Sequence, residues 1–145
     1  MIRHVSGVAE IVDDVAAAVH FYRDALGLEV DFTEGEPYAI VHVPGIIHFG
    51  LWDRAFAAER IFGDAARKND VPSGFMLGLE VDDPSSATDR LSPSARRLQS
   101  PQEEPWGQET ARFLTPGGAV CEFTRTPWAR TLASVPTAAP DESEG

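Results

Sequence analysis

Cysteine occurs once in the 145 residues, at Cys121, which excludes an intramolecular disulfide framework and any Cys-rich zinc site. A reduced, cytoplasmic environment is the expectation that follows. Basic residues are scarce: 12 Lys and Arg stand against 23 Asp and Glu, for a net charge of −11. Nowhere do more than two adjoin (Arg67-Lys68, Arg96-Arg97). Affinity for nucleic acid comes from neutralising phosphates, so no nucleic-acid partner is expected. No apolar run approaches the ~20 residues of a membrane span. Met1-Ile2-Arg3-His4 lacks the pattern of a secretion signal, so neither membrane nor export is expected. The chain is long enough for one ordinary domain, or two small halves sharing one core. Its acidic surplus reads as solvated surface, although a cationic ligand also suits such a field.

Residues 5–12 read as a strand ending at Asp13-Asp14, either of which can cap the helix that follows. In that helix Val15, Ala18, Val19, Tyr22, Ala25 and Leu26 recur at three-to-four spacing. Gly27 sits where a left-handed C-terminal cap belongs. Residues 28–33, 37–43 and 46–52 read as three strands, the last two joined by a turn at Pro44-Gly45. Residues 53–74 form a linker with a short helix, ended by Pro72-Ser73-Gly74. The order then restarts with a strand at 75–81, a cap at Asp82-Asp83 and a weaker helix over 84–98, interrupted near Pro93. Strands around 109–115 and 119–125 follow a loop at Glu103-Glu104-Pro105-Trp106-Gly107 and flank the turn Pro116-Gly117-Gly118.

The restart is an internal repeat. At an offset of 69, Val12-Asp13-Asp14 falls on Val81-Asp82-Asp83 and Ala18 on Ala87; at 72, Pro44-Gly45 falls on Pro116-Gly117 and Ala39 on Ala111. One three-residue insertion between the blocks reconciles the two offsets. Residues 126–145 turn to Pro, Thr, Ala, Ser, Asp and Glu and cannot offset their ordering entropy by burial, so a flexible tail is expected there. Trp128 can still dock on the body.

The Val12-x-Asp14 and Phe21-Tyr22-Arg23-Asp24-Ala25-Leu26-Gly27 segments, the second Val81-Asp82-Asp83, and Pro116-Gly117-Gly118-x-x-x-Glu122-Phe123 together carry a resemblance. The chain resembles the vicinal-oxygen-chelate superfamily of glyoxalase I, bleomycin-resistance proteins and extradiol dioxygenases over roughly residues 5–125. The resemblance implies an α+β fold of two βαβββ modules, about 5–52 and 75–125, curling into one cup within a domain spanning 1–125. It also implies a homodimer. The Pro105-Trp106-Gly107 loop is similar to that of the bleomycin-binding branch.

The catalytic branches of that superfamily hold one divalent metal through one residue from each of four strands, mostly His and Glu. Here the corresponding positions fall on Gly7, Gly50, Met76 and Glu122, of which Glu122 alone has ligand chemistry. Glycine offers no donor, and a thioether is a weak one for oxygen-preferring metals. A catalytic zinc keeps three protein ligands, so no metal cofactor is expected. An irregular site of His48 and Glu122, with His42 approaching from the next strand, is the alternative.

Strand alternation within that cup places His48, Gly50, Trp52, Met76, Gly78, Glu80 and Glu122 on its inner face. Gly7, Gly50 and Gly78 are expected to leave volume, Trp52, Met76 and Trp106 to offer apolar surface, and Glu80 and Glu122 to act as polar anchors. Arg112 and Arg125 fall one residue out of phase with the inward positions. Glu10 falls on the helix-packing face, where it either pairs with Arg3 or His4 or is rotated inward by a bulge. Cys121 reads as a buried structural thiol. The expected function is metal-independent binding of an aromatic or cationic organic ligand, as in resistance by sequestration. The enzymatic alternatives are a glyoxalase-like lyase or isomerase with a metal at His48 and Glu122, and a metal-free isomerase with Glu122 as general base.

Overall fold

The computed structural model describes residues 2–93 and 95–128. The first module runs β1 (Ile2–Val12), α1 (Val15–His20), β2 (Glu29–Asp31), β3 (Tyr38–His42) and β4 (Phe49–Asp53). A π-helical turn at Phe21–Ala25 extends α1. After α2 (Arg54–Phe62) and a 3₁₀ turn at Ala65–Asp70, the second module runs β5 (Gly74–Val81), α3 (Pro84–Asp89), β6 (Arg96–Glu103), β7 (Glu109–Leu114) and β8 (Val120–Arg125). All eight strands form one curled, unclosed sheet in the order β2-β3-β4-β1-β5-β8-β7-β6. Each module pairs its first and last strands in parallel, β1 with β4 and β5 with β8. The modules join through the antiparallel pair β1–β5. No helix among the described residues is long and apolar enough to cross a membrane.

The ladders reproduce the sequence repeat residue for residue. Tyr38 opposes Trp52, Ala39 opposes Leu51 and Ile40 opposes Gly50. Seventy-two positions later Thr110 opposes Thr124, Ala111 opposes Phe123 and Arg112 opposes Glu122. Ala9 and Ile11 lie beside Gly50 and Trp52 as Gly78 and Glu80 lie beside Glu122 and Thr124. The caps repeat too: extended Asp14 accepts from the Ala17 amide at 3.1 Å, and extended Asp83 from the Ser85 amide at 3.0 Å.

Both modules bury their outer face under a helix. Val15 and Val19 of α1 pack on Ala39, Val41 and Leu51. Ala87 and Leu91, on and just after α3, pack on Val81, Phe113, Cys121 and Phe123. Cys121 is therefore a structural thiol, pushed up to about 11 by burial and the neighbouring Glu122 charge. On the inner face, α2 closes one end with Ala57, Ala58 and Ile61 against Ile11, Trp52 and Met76.

Two expectations need correction here. The weaker helix expected over 84–98 stops at Asp89, and the chain resumes as strand β6. Pro93 cannot continue a helix. β6 is an edge strand whose text, Arg96-Arg97-Leu98-Gln99-Ser100-Pro101-Gln102-Glu103, carries little apolar alternation and a proline that only an edge tolerates. The second concerns Glu10. A register shift between Val5 and Gly7 bulges β1 at Ser6, upstream of Glu10, which stays on the helix side. Its partner is neither Arg3 nor His4 but the Tyr22 hydroxyl, which donates at 2.5 Å. Burial and that carboxylate push the Tyr22 phenol up to about 12. Arg3 binds Asp82 instead, at 2.6 Å.

Of the expected tail, Thr126 is buried and Trp128 reaches the inner face. Residues 129–145 lie outside the described residues.

Candidate ligand cup

The inner face encloses a cavity of about 530 Å³. Of the residues expected to line it, His48, Trp52, Met76, Trp106 and Glu122 do, together with Gly7; Gly50, Gly78 and Glu80 do not. Its aromatic wall belongs to the first module and the mouth. Trp52 meets Phe56 edge-on with centroids 5.0 Å apart, and Phe56 stacks on Tyr38 at 5.9 Å. Trp106 stands perpendicular to Trp52 at 6.1 Å, and Trp128 completes the rim. Both rim indoles are half-exposed, at 39% and 47%. Such flat, weakly hydrated faces contribute large contact area at small entropic cost.

Behind these rings lies a buried polar network that sequence reasoning largely misses; Glu122 is its member on the cavity, and Arg112 and Arg60 stand 5.8 Å from the Trp52 and Trp106 rings. Arg112, 1% exposed, projects inward beside Glu122 rather than out of phase. The turn after β7 sets an antiparallel register that puts both side chains on one face. Its Nε donates to Glu122 Oε2 at 2.7 Å, and its Nη1 to Gln99 Oε1 at 2.6 Å and Glu104 Oε2 at 3.1 Å. Glu104, from the loop before β7, also accepts from Arg60 at 2.7 Å, Thr110 at 2.6 Å and Gln102 at 3.0 Å. Desolvation pushes the Glu104 carboxyl up, but Arg112 and these hydrogen bonds outweigh it and hold the group below its ordinary range. Two guanidiniums, Arg60 and Arg112, thus cancel two carboxylates, Glu104 and Glu122. The one signal in the sequence is Arg112 standing in the otherwise apolar run Ala111-Arg112-Phe113-Leu114; no linear motif joins it to Glu104.

Glu80 is not a ligand anchor. It is fully buried and accepts from Thr124 Oγ1 at 2.9 Å and from the Thr126 amide at 2.7 Å, tying the chain after β8 to the sheet. Thr126 in turn accepts from Gln108 Nε2 at 2.8 Å, while Gln108 Oε1 accepts from Trp106 Nε1 at 3.0 Å.

The glycines serve close approach instead of open volume. A Cβ on Gly78 would stand 2.7 Å from Ser6 Oγ and 3.2 Å from Glu122 Oε1. One on Gly50 would stand 3.1 Å from Trp52 Nε1 and 3.3 Å from His48 Nε2, and one on Gly7 3.0 Å from the His48 carbonyl. Neighbouring side chains have moved into the space.

His48 precedes β4, its carbonyl accepting from the Val8 amide at 2.9 Å. Burial, with a smaller contribution from nearby His42, holds its imidazole below the ordinary value, so the ring is neutral near pH 7. His42 itself turns to Asp31 at 2.8 Å, a contact that raises its pKa. Among the described residues no three His, Cys, Asp or Glu side chains gather closely enough to hold a metal ion. With His42 on Asp31, one Glu122 oxygen on Arg112, and glycine or methionine at the other strand positions, the donor set does not fit a divalent metal.

A family model described as the Glyoxalase/Bleomycin resistance protein/Dioxygenase superfamily matches residues 4–123. No curated protein matches the chain. Among solved structures, a member of that superfamily from Vibrio splendidus 12B01 is 19% identical, with a TM-score of 0.59 over 87% of this chain and 100% of its own. The Streptomyces coelicolor methylmalonyl-CoA epimerase in complex with 2-nitronate-propionyl-CoA is 16% identical, with a TM-score of 0.59 over 87% and 99%. The Mycobacterium tuberculosis methylmalonyl-CoA epimerase is 21% identical, with a TM-score of 0.58 over 92% and 93%. At these identities the likeness to solved structures is one of fold, and it agrees with the paired βαβββ topology. The family match and the duplicated ladder together make the chain a member of the glyoxalase/bleomycin resistance protein/dioxygenase superfamily.

Proposed function

We propose that the protein binds a planar aromatic organic molecule in its cup, without a metal ion, and that its role is capture of the resistance or sequestration type. The observation that carries this reading is the perpendicular Trp52–Trp106 pair, backed by Phe56, on a cavity whose one lining carboxylate among the described residues, Glu122, is met by Arg112. A mostly apolar cavity with a few placed polar groups is the ordinary form of a small-molecule site. A neutral ligand is favoured over a cationic one because Glu122, the carboxylate on the cavity, is already met by Arg112 at 2.7 Å.

The same contact weighs against an enzyme. A base that must collect a proton from substrate would have to work beside a guanidinium bonded to one of its oxygens, and the metal alternative at His48 and Glu122 lacks donors. Names among the fold neighbours, methylmalonyl-CoA epimerase included, describe those proteins.

The test is a panel of neutral planar aromatics and their cationic isosteres, read by tryptophan fluorescence and thermal shift. Neutral members are expected to quench the cup indoles and raise the melting temperature, since a ligand selective for the folded state stabilises by about 2.7 kcal/mol at a hundred times its Kd. Trp52→Ala should weaken them by at least about tenfold, the scale of a lost aromatic anchor. Stoichiometric Zn, Ni, Mn or Fe in the purified protein would overturn the reading.

A further inference from the structure

Most polar groups around the cup are committed to one another. Ser6 Oγ shares a 2.6 Å hydrogen bond with Thr124 Oγ1, Gln108 uses both ends of its amide, and one Glu122 oxygen is held by Arg112. The buried Arg112 Nη2 is not, and neither are two ring nitrogens of residues that line the cavity. Trp52 Nε1 and His48 Nε2 make no hydrogen bond among the described residues, yet both lean over the same residue, Gly50, where a Cβ would stand 3.1 and 3.3 Å from them. They are neighbours across a bare patch of backbone.

Both rings are held in place. Trp52 is buried and wedged against Phe56 and Trp106. His48 is anchored by its carbonyl to Val8, and its Cβ sits over Gly7. The indole N–H can only donate, whereas a neutral imidazole nitrogen without its proton accepts. An apolar site with one donor and one acceptor fixed side by side is complementary to a ligand edge carrying the reverse pair. The arrangement belongs to one module: the counterparts of His48, Gly50 and Trp52 are Val120, Glu122 and Thr124.

We propose that Trp52 Nε1 and His48 Nε2 form a two-point fork that reads a lactam-type edge, a ring carbonyl beside a ring N–H, on the planar ligand of the cup. The proposal deepens the aromatic-ligand reading and rests on it. The ligand carbonyl accepts from the indole N–H, and the ligand N–H donates to the imidazole. Gly50 is the residue that determines this specificity, because any side chain there displaces both nitrogens.

The experiment titrates the full chain with three probes of similar shape: 2-quinolone, its N-methyl derivative and naphthalene. Calorimetry or NMR line shifts give the affinities. The fork predicts that 2-quinolone binds about tenfold more tightly than N-methyl-2-quinolone, the scale of one hydrogen bond in a dry site. In His48→Phe, and in Gly50→Ala, that ratio should fall to about one. Trp52→Phe should remove the advantage of N-methyl-2-quinolone over naphthalene. Because each readout is a ratio within one variant, a change in overall stability does not imitate it. Equal binding of the two quinolones by the unmodified protein, or a ratio that survives His48→Phe, overturns the fork while leaving the aromatic cup standing. Failure of all three probes, naphthalene included, overturns both.

Discussion

The two modules share a scaffold and differ on one face. Outside, the repeat is kept in kind: Ala39 and Ala111 are both buried, and Leu51 and Phe123 each pack against a helix. Inside, Tyr38, Ile40, Gly50 and Trp52 of the first module stand where Thr110, Arg112, Glu122 and Thr124 stand in the second. Ile11 stands where Glu80 does. One half presents aromatic surface; the other holds a hydrogen-bond network centred on Arg112, whose Nη2 alone is left without a partner. Because side chains alternate strictly across a strand, the inner set can be exchanged without touching the outer packing. A duplicated sheet can thus divide binding from its own internal anchoring.

The sharpest way to break this comparison is to give the second module the first module's residues. Arg112→Ile alone strands Glu122 and leaves Glu104 with Arg60 as its remaining guanidinium, and is expected to cost about 3–5 kcal/mol in denaturant unfolding. Adding Glu122→Gly removes one stranded carboxylate, so the double variant should be more stable than the single one, a negative coupling read from a double-mutant cycle. Additive losses would show that the pair contributes no mutual stabilisation.

The glycines give a smaller contrast. Gly78→Ala drives a Cβ to 2.7 Å from Ser6 Oγ, an atom fixed by Thr124, and should cost about 1–3 kcal/mol through overpacking. Gly50→Ala meets ring atoms at 3.1–3.3 Å that need yield only a few tenths of an ångström. It should lower the melting temperature less, while altering ligand preference more.

The mildest effect is in pH. The Glu104 carboxyl is held below its ordinary value of 4.5, so the folded state gives up that charge less readily than the unfolded chain. The stabilisation is therefore complete above about pH 4.5 and is lost as the pH falls through the folded value. In that window the melting temperature should fall with pH for the unmodified protein and fall less for Glu104→Gln.

What could be read in the text followed from periodicity. The duplication, the caps at Asp14 and Asp83, and the inward set His48, Trp52, Met76 and Glu122 all come from alternation and spacing within single strands. What could not be read depends on contacts between segments. Arg60, Glu104 and Arg112 come from a helix, a loop and a strand, and only the folded ladder brings them together. β6 was hidden because an edge strand needs little apolar pattern. Gly50 and Gly78 were read as vacancy because a missing Cβ says nothing about whether a ligand or a neighbour takes the room.

The chain of contacts from Glu80 through Thr126 and Gln108 to Trp106 has a consequence for the doorway. It links a rim indole to the centre of the sheet by three successive hydrogen bonds, so a guest that swings Trp106 aside is expected to loosen Thr126, whose amide is held by Glu80. Deuterium uptake at that one backbone position would then report whether the chamber is tenanted, without any label on the visitor.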